Sequence, residues 1–109
     1  MGKFFVYMLK CADESFYIGL TSDILNRLTE HEQGLSRKAY TYSRRPVELV
    51  WVGDFPTHDE AFTFERQIKG WSRAKKKALI DNDWDEIHQI VKNERKRRDL
   101  KKRGKASNS

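Results

Sequence analysis

Three short blocks of aromatic and aliphatic residues in the first half of the chain predict β-strands. The first block covers residues 4–11, and a polar break separates it from the second block, residues 16–19. Apolar blocks divided by turn-forming residues are typical of a β-hairpin. A third block, residues 47–52, ends at the turn-forming segment 53–56 and predicts a third strand.

Two longer stretches carry apolar residues at the three- and four-residue spacing of an amphipathic helix. The first predicts a helix over residues 23–33, because a Thr-Ser-Asp segment supplies capping candidates at its start and Gly34 follows its end. The second follows Thr57 and predicts one long helix over residues 58–80. A third helix is predicted to begin near residue 83.

The basic segment 36–45, between the first helix and the third strand, has no clear period and is predicted to be a loop. It ends at Pro46, which disfavours helix in the residue before it. The predicted element order is therefore ββαβαα. A hairpin and a third strand covered by helices form an α/β fold, with a small three-stranded antiparallel sheet flanked by helices around one core.

Length and charge divide the chain into a domain and a tail. With 109 residues there is room for one compact domain but not for two separate cores. Residues 1–91 are assigned to that domain and carry a net charge of −1, whereas residues 92–109 carry nine Lys or Arg and two acids, a net charge of +7. The tail has no apolar stripe to bury, so we expect it to be partly disordered.

Charge is also unevenly distributed within the domain. Residues 37–45 and residues 66–77 contain four and six basic residues, respectively, and neither segment contains an acid. Clustered basic residues suit a polyphosphate partner, because each neutralised phosphate releases counterions. The alternative is the solvated face of a lysine-rich protein, and composition leaves both open.

Composition argues against several other classes of protein. Cys11 is the single cysteine, so an intramolecular disulfide and a cysteine zinc site are excluded, and we interpret Cys11 as a small apolar residue at the end of a strand. No run reaches the roughly 18 to 20 apolar residues of a membrane span, and the first residues lack a signal-peptide cleavage site. We therefore expect a cytoplasmic protein without a membrane partner.

A glutamate lies on the apolar side of the second predicted helix. Glu65 is four residues after Ala61 and three before Ile68, so it shares a helix face with both. A carboxylate on such a face is unfavourable unless it is paired or binds a metal. The alternatives are an ion pair, with Arg27 as a candidate partner, and a metal site.

Four side chains of the hairpin and the first helix are further candidates for chemistry. Arg27 and His31 are four residues apart and share one helix face, where a surface arginine beside a solvated histidine is the simpler interpretation. Tyr7 and Tyr17 lie in the hairpin strands, where aromatic core residues are the simpler interpretation. The two tyrosines share a face of the sheet only if the bulge-free register pairs residues whose numbers have an even sum.

A glycine also lies within the second strand. Gly19 is locally unfavourable there and indicates a close backbone approach or a bulge. A phosphate passing near the strand end would explain this glycine, and so would a tight start to the first helix.

In this order and on this frame, the candidate residues resemble the GIY-YIG nuclease family. The two tyrosines are ten residues apart, an arginine follows Gly19 by eight, a histidine comes four further on, and a glutamate lies in the next long helix. The resemblance covers residues 3–85 and is strongest to the small stand-alone bacterial (YhbQ-like) members. The positions that carry it are Tyr7, Tyr17-Ile18-Gly19, Arg27, His31 and Glu65.

The resemblance implies a metal-dependent endonuclease that hydrolyses phosphodiester bonds, in DNA rather than RNA, within DNA repair or recombination. It assigns Tyr17, together with Tyr7, to orienting or deprotonating the attacking water. A phenol has a pKa of about 10, so a metal-bound hydroxide or His31 would have to take its proton. It assigns Arg27 to charge on the scissile phosphate and Glu65 to a Mg²⁺ or Mn²⁺ ion.

His31 would then act as a helper that hydrogen-bonds a tyrosine hydroxyl or a phosphate. Basic and polar residues near these positions are expected to grip the nucleic acid, and no protein partner is indicated. The expected nucleic-acid-binding residues are Gly19, Lys38, Tyr40, Thr41, Arg44, Arg45 and Lys69.

The chain departs from the family pattern at three points. The first motif reads Phe5-Val6-Tyr7 and keeps only its tyrosine, and Leu20 stands where excision-repair relatives have a lysine. Asn82 is the nearest counterpart of an asparagine found late in several relatives. These departures motivate an alternative function, a catalytically weak or inactive nucleic-acid-binding module.

Overall fold

The computed structural model describes residues 3–82, 92–93 and 95–98. A 3-10 turn in the basic loop covers Tyr42–Arg44. The helix predicted to begin near residue 83, the domain boundary at residue 91 and most of the tail lie outside the described residues. The helices and strands in chain order are β1 (Phe4–Lys10), β2 (Phe16–Thr21), α1 (Ile24–Gln33), β3 (Glu48–Phe55), α2 (His58–Lys69) and α3 (Arg73–Asn82).

The sheet has the strand order β2-β1-β3, and both pairings are antiparallel. β1 therefore lies in the centre, and its residues 5–9 are all buried. A strand that is covered on both faces reads as a continuous apolar run instead of an alternating one. This three-stranded antiparallel sheet, flanked by helices, confirms the predicted α/β fold.

The register between β1 and β2 places the two tyrosines on the same face. Tyr7 pairs with Gly19 and Leu9 pairs with Tyr17, so the paired numbers have an even sum, and no bulge interrupts this ladder. The condition set by the sequence is met. An irregularity does occur on the other side of β1, between Met8 and Leu9 where they pair with β3, and it leaves the hairpin register unchanged.

Helices cover the sheet through a few fully buried aliphatic side chains. Ile24 of α1 and both Ala61 and Ile68 of α2 have no exposed surface. α2 packs on all three strands, and α3 packs against β3. Full burial of an isoleucine side chain contributes about 1.5–3 kcal/mol, so Ile24 and Ile68 help to fix where the helices lie on the sheet.

α1 confirms the predicted helix almost to the residue, because both of its ends are specified locally. The Asp23 side chain accepts a hydrogen bond from the backbone N–H of Asn26 at 3.1 Å. Gly34 ends the helix with φ 64°, in the left-handed region that favours glycine. The Arg45 guanidinium packs over Gly34, and a Cβ at this position would lie 2.5 Å from Arg45 Cζ.

The prediction of a single long helix over residues 58–80 is wrong. The helix is interrupted between Lys69 and Arg73, which gives two helices, α2 and α3. Gly70 ends α2, and its backbone N–H reaches back to Gln67 and Ile68. The Ser72 hydroxyl then accepts a hydrogen bond from the backbone N–H of Lys75 at 3.3 Å, which caps the start of α3. Glycine and a capping serine together favour a new helix over continuation.

β3 is longer than the predicted block, which ended at Val52, because it continues through Gly53 to Phe55. Gly53 pairs with Val6 of β1, and the Trp51 ring lies over it. A Cβ at position 53 would lie 2.6 Å from Trp51 Cη2. The glycine therefore belongs to the strand, where it makes room for an aromatic ring. Among the described residues, no helix is long and apolar enough to span a membrane.

Candidate active site

A buried chain of hydrogen bonds joins β1, α1 and the basic loop. The Tyr7 hydroxyl lies 2.9 Å from His31 Nε2, and His31 Nδ1 lies 2.7 Å from Thr41 Oγ1. Tyr7 and Thr41 are each only 1% exposed, and His31 is 7% exposed. Both ring nitrogens of His31 are therefore occupied, and the imidazole orientation is fixed from two sides.

His31 is held in its neutral form by its surroundings. Burial lowers the pKa of His31, the nearby Arg27 guanidinium lowers it further, and Glu30 opposes this shift. A neutral imidazole has one N–H, so the two hydrogen bonds run in one direction around the ring. Either Tyr7 donates to His31 and His31 donates to Thr41, or both bonds run the opposite way.

Tyr7 is held in its protonated form. Burial raises the pKa of Tyr7 far above its ordinary value, the neighbouring Tyr17 raises it further, and Arg27 acts in the opposite direction. An anionic Tyr7 would need charge compensation at a position that water does not reach. At neutral pH this phenol is a fixed hydrogen-bonding group within the cluster.

Gly19 is explained by an internal contact. The Tyr7 ring lies directly over it, so a Cβ at position 19 would overlap the Tyr7 hydroxyl oxygen and Cζ and would lie 2.8 Å from Cε1. Gly19 is also buried. The close approach expected from the sequence is present, and the group that approaches is the Tyr7 side chain from the neighbouring strand. Contact of Gly19 with nucleic acid stays a prediction.

Tyr17 lies on the solvent side of the same aromatic group. Its ring centroid is 6.2 Å from that of Tyr7 and 5.2 Å from that of His31. It stacks on Tyr40 of the basic loop, with the centroids 5.9 Å apart and the planes at 23°. Tyr17 is only partly buried, so it is the tyrosine of the pair that a ligand can reach. We call Tyr7, Tyr17, His31 and Thr41 the tyrosine–histidine cluster.

Arg27 lies at the edge of this cluster and is open to solvent. Its side chain is 43% exposed, and its Nε is 3.9 Å from Glu30 Oε2. The charge of its guanidinium lowers the pKa values of both Tyr7 and His31. An accessible guanidinium at the edge of the cluster is suited to binding a phosphate group.

Glu65 lies on the apolar side of α2, as predicted, with a side chain that is only 12% exposed. Of the two alternatives left open by the sequence, the structure shows an ion pair, and the partner is Lys69. Lys69 Nζ lies 3.4 Å from Glu65 Oε1, one helical turn further along. Arg27, the partner suggested by the sequence, is paired with Glu30 instead.

The donor chemistry at Glu65 fits one ligand of a hard divalent cation. No group of three or more His, Cys, Asp or Glu side chains with metal-binding geometry occurs within the described part of the chain. Mg²⁺ prefers oxygen ligands and is often held by one or two carboxylates, with water and substrate phosphate supplying the others. Glu65 meets this requirement if Lys69 moves aside or turns to the phosphate.

An open depression connects the Tyr17 side of the sheet with α2. Its volume is ≈ 270 Å³, and Tyr17, Tyr40 and Lys69 are part of its wall. Lys69 also pairs with Glu65, so this lysine links the Glu65 carboxylate to the depression. We call it the Tyr40 depression.

Two arginines of the basic loop are held by contacts within the protein. The Arg44 guanidinium lies 3.8 Å over the Tyr40 ring, and its Nε donates to Asp13 Oδ2 at 3.0 Å, so Arg44 fastens the loop to the hairpin turn. Arg45 Nε donates to the Tyr42 carbonyl at 2.9 Å.

Two other loop residues differ sharply in exposure. Lys38 is exposed, as a residue that contacts nucleic acid requires. Thr41 was expected to touch nucleic acid, but the structure buries it against His31, where its hydroxyl is hydrogen-bonded to the imidazole.

The structure groups Tyr7, Tyr17 and His31, with Arg27 at their edge. Glu65 is paired with Lys69 on α2. Sequence reasoning missed the link from Thr41 to His31 and the part of Asp13 in fixing Arg44. Both depend on contacts between distant segments, and neither residue carries a local signal for them.

Comparisons with known proteins identify the family of this chain. A family model described as the GIY-YIG catalytic domain matches residues 3–78. A UPF0213 protein of Natronomonas pharaonis is 43% identical over 79 residues, which cover 72% of this chain and 92% of the relative. A UPF0213 protein of Staphylococcus saprophyticus is 45% identical over 80 residues, which cover 73% of this chain and 96% of the relative.

A solved structure shows the same fold. The solution NMR structure of the protein EF2693 from E. faecalis is 34% identical, with a TM-score of 0.53, and the match covers 75% of this chain and 90% of that one. The family match begins just before β1, ends within α3 and contains every residue of the tyrosine–histidine cluster together with Arg27 and Glu65. The chain belongs to the GIY-YIG catalytic domain family.

Proposed function

We propose that this protein is a metal-dependent endonuclease that hydrolyses phosphodiester bonds in DNA. The observation that carries the proposal is the grouping of a half-buried tyrosine, Tyr17, with His31 and the exposed Arg27. Membership of the GIY-YIG family supports a nucleic acid as the substrate. Two basic segments near the site add charge complementary to a phosphate backbone.

The exposure of the two tyrosines suggests a division of roles. Tyr17 is accessible, and its hydroxyl orients the attacking water by a hydrogen bond. Both ring nitrogens of His31 are already hydrogen-bonded, so the proton that the water loses passes to solvent on the exposed side of Tyr17. Tyr7 is buried and hydrogen-bonded to His31, so it acts as a positioning residue behind Tyr17. Thr41 completes this support by fixing the other side of the imidazole.

Arg27 and Glu65 are assigned to stabilising the negative charge that develops during hydrolysis. The Arg27 guanidinium binds the scissile phosphate and stabilises the added negative charge of the transition state. Glu65 supplies the carboxylate that would hold Mg²⁺ or Mn²⁺, and the bound ion would contribute positive charge at the leaving oxygen. Lys69, which pairs with Glu65 in the free protein, then turns to a phosphate oxygen of the substrate.

The proposal is tested by incubating the purified protein with Mg²⁺ and with branched, single-stranded and duplex DNA. We expect cleavage of at least one substrate, and we expect Glu65→Gln to lose about a hundredfold or more in rate. Glu60→Gln, an exposed carboxylate on the same helix, is the matched control and should cut like the wild type. Preferred cutting of branched DNA would point to a role in DNA repair or recombination.

If no substrate is cut, or if Glu65→Gln cuts as fast as Glu60→Gln, the endonuclease proposal fails. The second candidate function is then a catalytically weak or inactive nucleic-acid-binding module. It is favoured by the ammonium group of Lys69 beside the only carboxylate proposed for the metal, and by Leu20 in place of a lysine. Salt-sensitive binding that Glu65→Gln leaves unchanged, with no product, is its expected signature.

A further inference from the structure

The hairpin turn between β1 and β2 presents a fixed carboxylate, Asp13, to the basic loop. Oδ1 of Asp13 accepts hydrogen bonds from the backbone N–H of Ser15, at 3.1 Å, and from the Ser15 hydroxyl. Oδ2 accepts a hydrogen bond from Arg44 Nε at 3.0 Å. The bonds from Ser15, and to a smaller extent the charge of Arg44, lower the pKa of Asp13. The carboxylate is therefore anionic at neutral pH, and each of its oxygens has a partner.

Arg44 is engaged on several sides at once. Its Nη1 donates a hydrogen bond to the Tyr40 carbonyl at 2.8 Å, and its guanidinium lies 3.8 Å from the centroid of the Tyr40 ring. The Arg44 carbonyl also accepts a hydrogen bond from the backbone N–H of Ala12 at 2.9 Å. One guanidinium can make these contacts together with the bond to Asp13, because its donors form a rigid fork and its face stacks on aromatic rings. Arg44 thus connects the hairpin turn to Tyr40.

The loop segment that Arg44 holds contacts the tyrosine–histidine cluster at two points. Tyr40 stacks on Tyr17, with the ring centroids 5.9 Å apart. The next residue, Thr41, is 1% exposed, and its hydroxyl oxygen lies 2.7 Å from His31 Nδ1. A displacement of this segment would therefore disturb Tyr17 and His31 together. Misplacing a catalytic group by about 1 Å can lower a reaction rate about a hundredfold.

We propose that Asp13 and Arg44 are positioning residues of the proposed active site, which act by holding the loop segment 40–41 against the tyrosine–histidine cluster. The proposal rests on the proposed function, because this cluster contains the tyrosine assigned to the attacking water. It replaces the expectation that Arg44 contacts nucleic acid, since the guanidinium is occupied by contacts within the protein.

Asp13→Asn separates positioning from phosphate binding, because the two roles predict opposite results. If Asp13 is a positioning residue, Asp13→Asn should slow single-turnover cleavage of bound DNA about tenfold and leave the DNA affinity in EDTA unchanged. If Arg44 is a phosphate ligand, removal of its carboxylate partner should tighten DNA binding without slowing cleavage. Asp59→Asn, at an exposed carboxylate of α2, is the matched control and should behave like the wild type. Tighter binding at an unchanged rate would overturn the proposal.

Substitutions of Arg44 test the guanidinium fork itself. Lysine keeps the positive charge but lacks the planar group that reaches two acceptors and stacks on a ring. Arg44→Lys should therefore slow cleavage of bound DNA as much as Arg44→Ala does, and both variants should keep the salt slope of the wild type. Full recovery of the rate with lysine, or the loss of about one phosphate contact from the salt slope in Arg44→Ala, would contradict the positioning role.

The pKa of His31, followed by NMR, provides a readout that needs no cleavage. Burial is the main reason that this pKa is lowered, and the loop contributes to the burial through the contact of Thr41 with the imidazole. The charges of Arg27 and Glu30 also act on the pKa of His31, and both residues stay in place in the variants.

Loosening the loop should raise the pKa of His31 toward its ordinary value in Asp13→Asn and in Arg44→Lys, but not in Asp59→Asn. An unchanged pKa in both of the first two variants would overturn the positioning role even if the protein cuts DNA. A raised pKa in a protein that cuts no DNA would support the link from the hairpin turn to the cluster, while the endonuclease proposal fails.

Discussion

Gly19 and Tyr7 lie opposite each other in the paired strands β2 and β1, and the Tyr7 ring occupies the space where a side chain at position 19 would be. This contact sets the position of the Tyr7 hydroxyl, which in turn sets the position of His31. A single glycine in a strand is thus linked to the geometry of the whole tyrosine–histidine cluster.

Replacing this glycine tests the packing directly. We expect Gly19→Ala to lower the free energy of unfolding by about 1–3 kcal/mol, because the new Cβ overlaps a ring that is itself fully packed. Urea denaturation measures the change. In a Tyr7→Ala background the same substitution should cost much less, and equal costs in both backgrounds would contradict the contact.

The buried side chain of His31 makes the stability of the protein depend on pH. Its pKa in the folded protein is lowered, by burial first and then by Arg27, from an ordinary value of about 6.5. The unfolded chain therefore binds the proton more readily than the folded protein. The contribution of His31 to stability is complete above about pH 6.5 and is lost as the pH falls through the lowered folded-state pKa.

The urea midpoint should accordingly fall when the pH is lowered from about 7.5 to about 5.5. His31→Asn should show a shallower decrease over the same range, since the buried imidazole is gone. A decrease that is equally steep in both proteins would assign the pH dependence to other groups.

The ends of helices and strands could be predicted where the adjacent residues determine them. α1 has a capping aspartate, Asp23, at one end and Gly34 at the other, and its bounds agree with the prediction. The break between α2 and α3 was missed because the apolar spacing continues across it through Ile68 and Trp71 into α3. The shared face of Tyr7 and Tyr17 could be stated only as a condition, since the register depends on pairing between strands.

In the candidate site, too, the sequence predicted features that depend on neighbouring residues but not contacts between distant segments. Glu65 was placed correctly on the apolar side of α2, because helix periodicity alone determines this face. Its ion-pair partner, Lys69, and the contact of Thr41 with His31 depend on side-chain choice and on how the loop folds back. The sequence predicted the elements that carry these residues but not their partners.

Ser72 is the residue that tests the helix break. We expect Ser72→Ala to lower the free energy of unfolding by about 1 kcal/mol, because the capping hydrogen bond to the Lys75 backbone is lost. Ser36→Ala, at an exposed loop position, is the control and should change stability little. In a continuous helix alanine would stabilise the position instead, so a gain in stability would contradict the break.

Across the whole molecule, charge is unevenly distributed along the sequence, and the basic excess lies in the last eighteen residues, the predicted tail. Residues 1–91 have a net charge of −1 and residues 92–109 a net charge of +7. In the described part of this tail, Arg98 Nη2 contacts Asp23 Oδ1, the residue that caps α1 and precedes Arg27 by one helical turn. The contact places tail charge next to the helix that carries Arg27 and His31.

Deleting residues 92–109 should therefore weaken DNA binding and flatten its dependence on salt. Each lost phosphate contact should reduce the slope of log affinity against log salt by about 0.9 for duplex DNA. The unfolding midpoint of the shortened protein serves as the control for folding. An unchanged affinity and slope would assign the electrostatic contacts to the basic loop and α3.

The central claim, that the accessible tyrosine of the cluster takes part in hydrolysis, is tested most directly by single-turnover cleavage with Tyr17→Phe. This change removes one oxygen and keeps the ring that stacks on Tyr40. The account predicts a fall in rate of about a hundredfold or more with DNA affinity unchanged, while the control Tyr42→Phe cuts like the wild type. Tyr17→Phe cutting at the wild-type rate would contradict it.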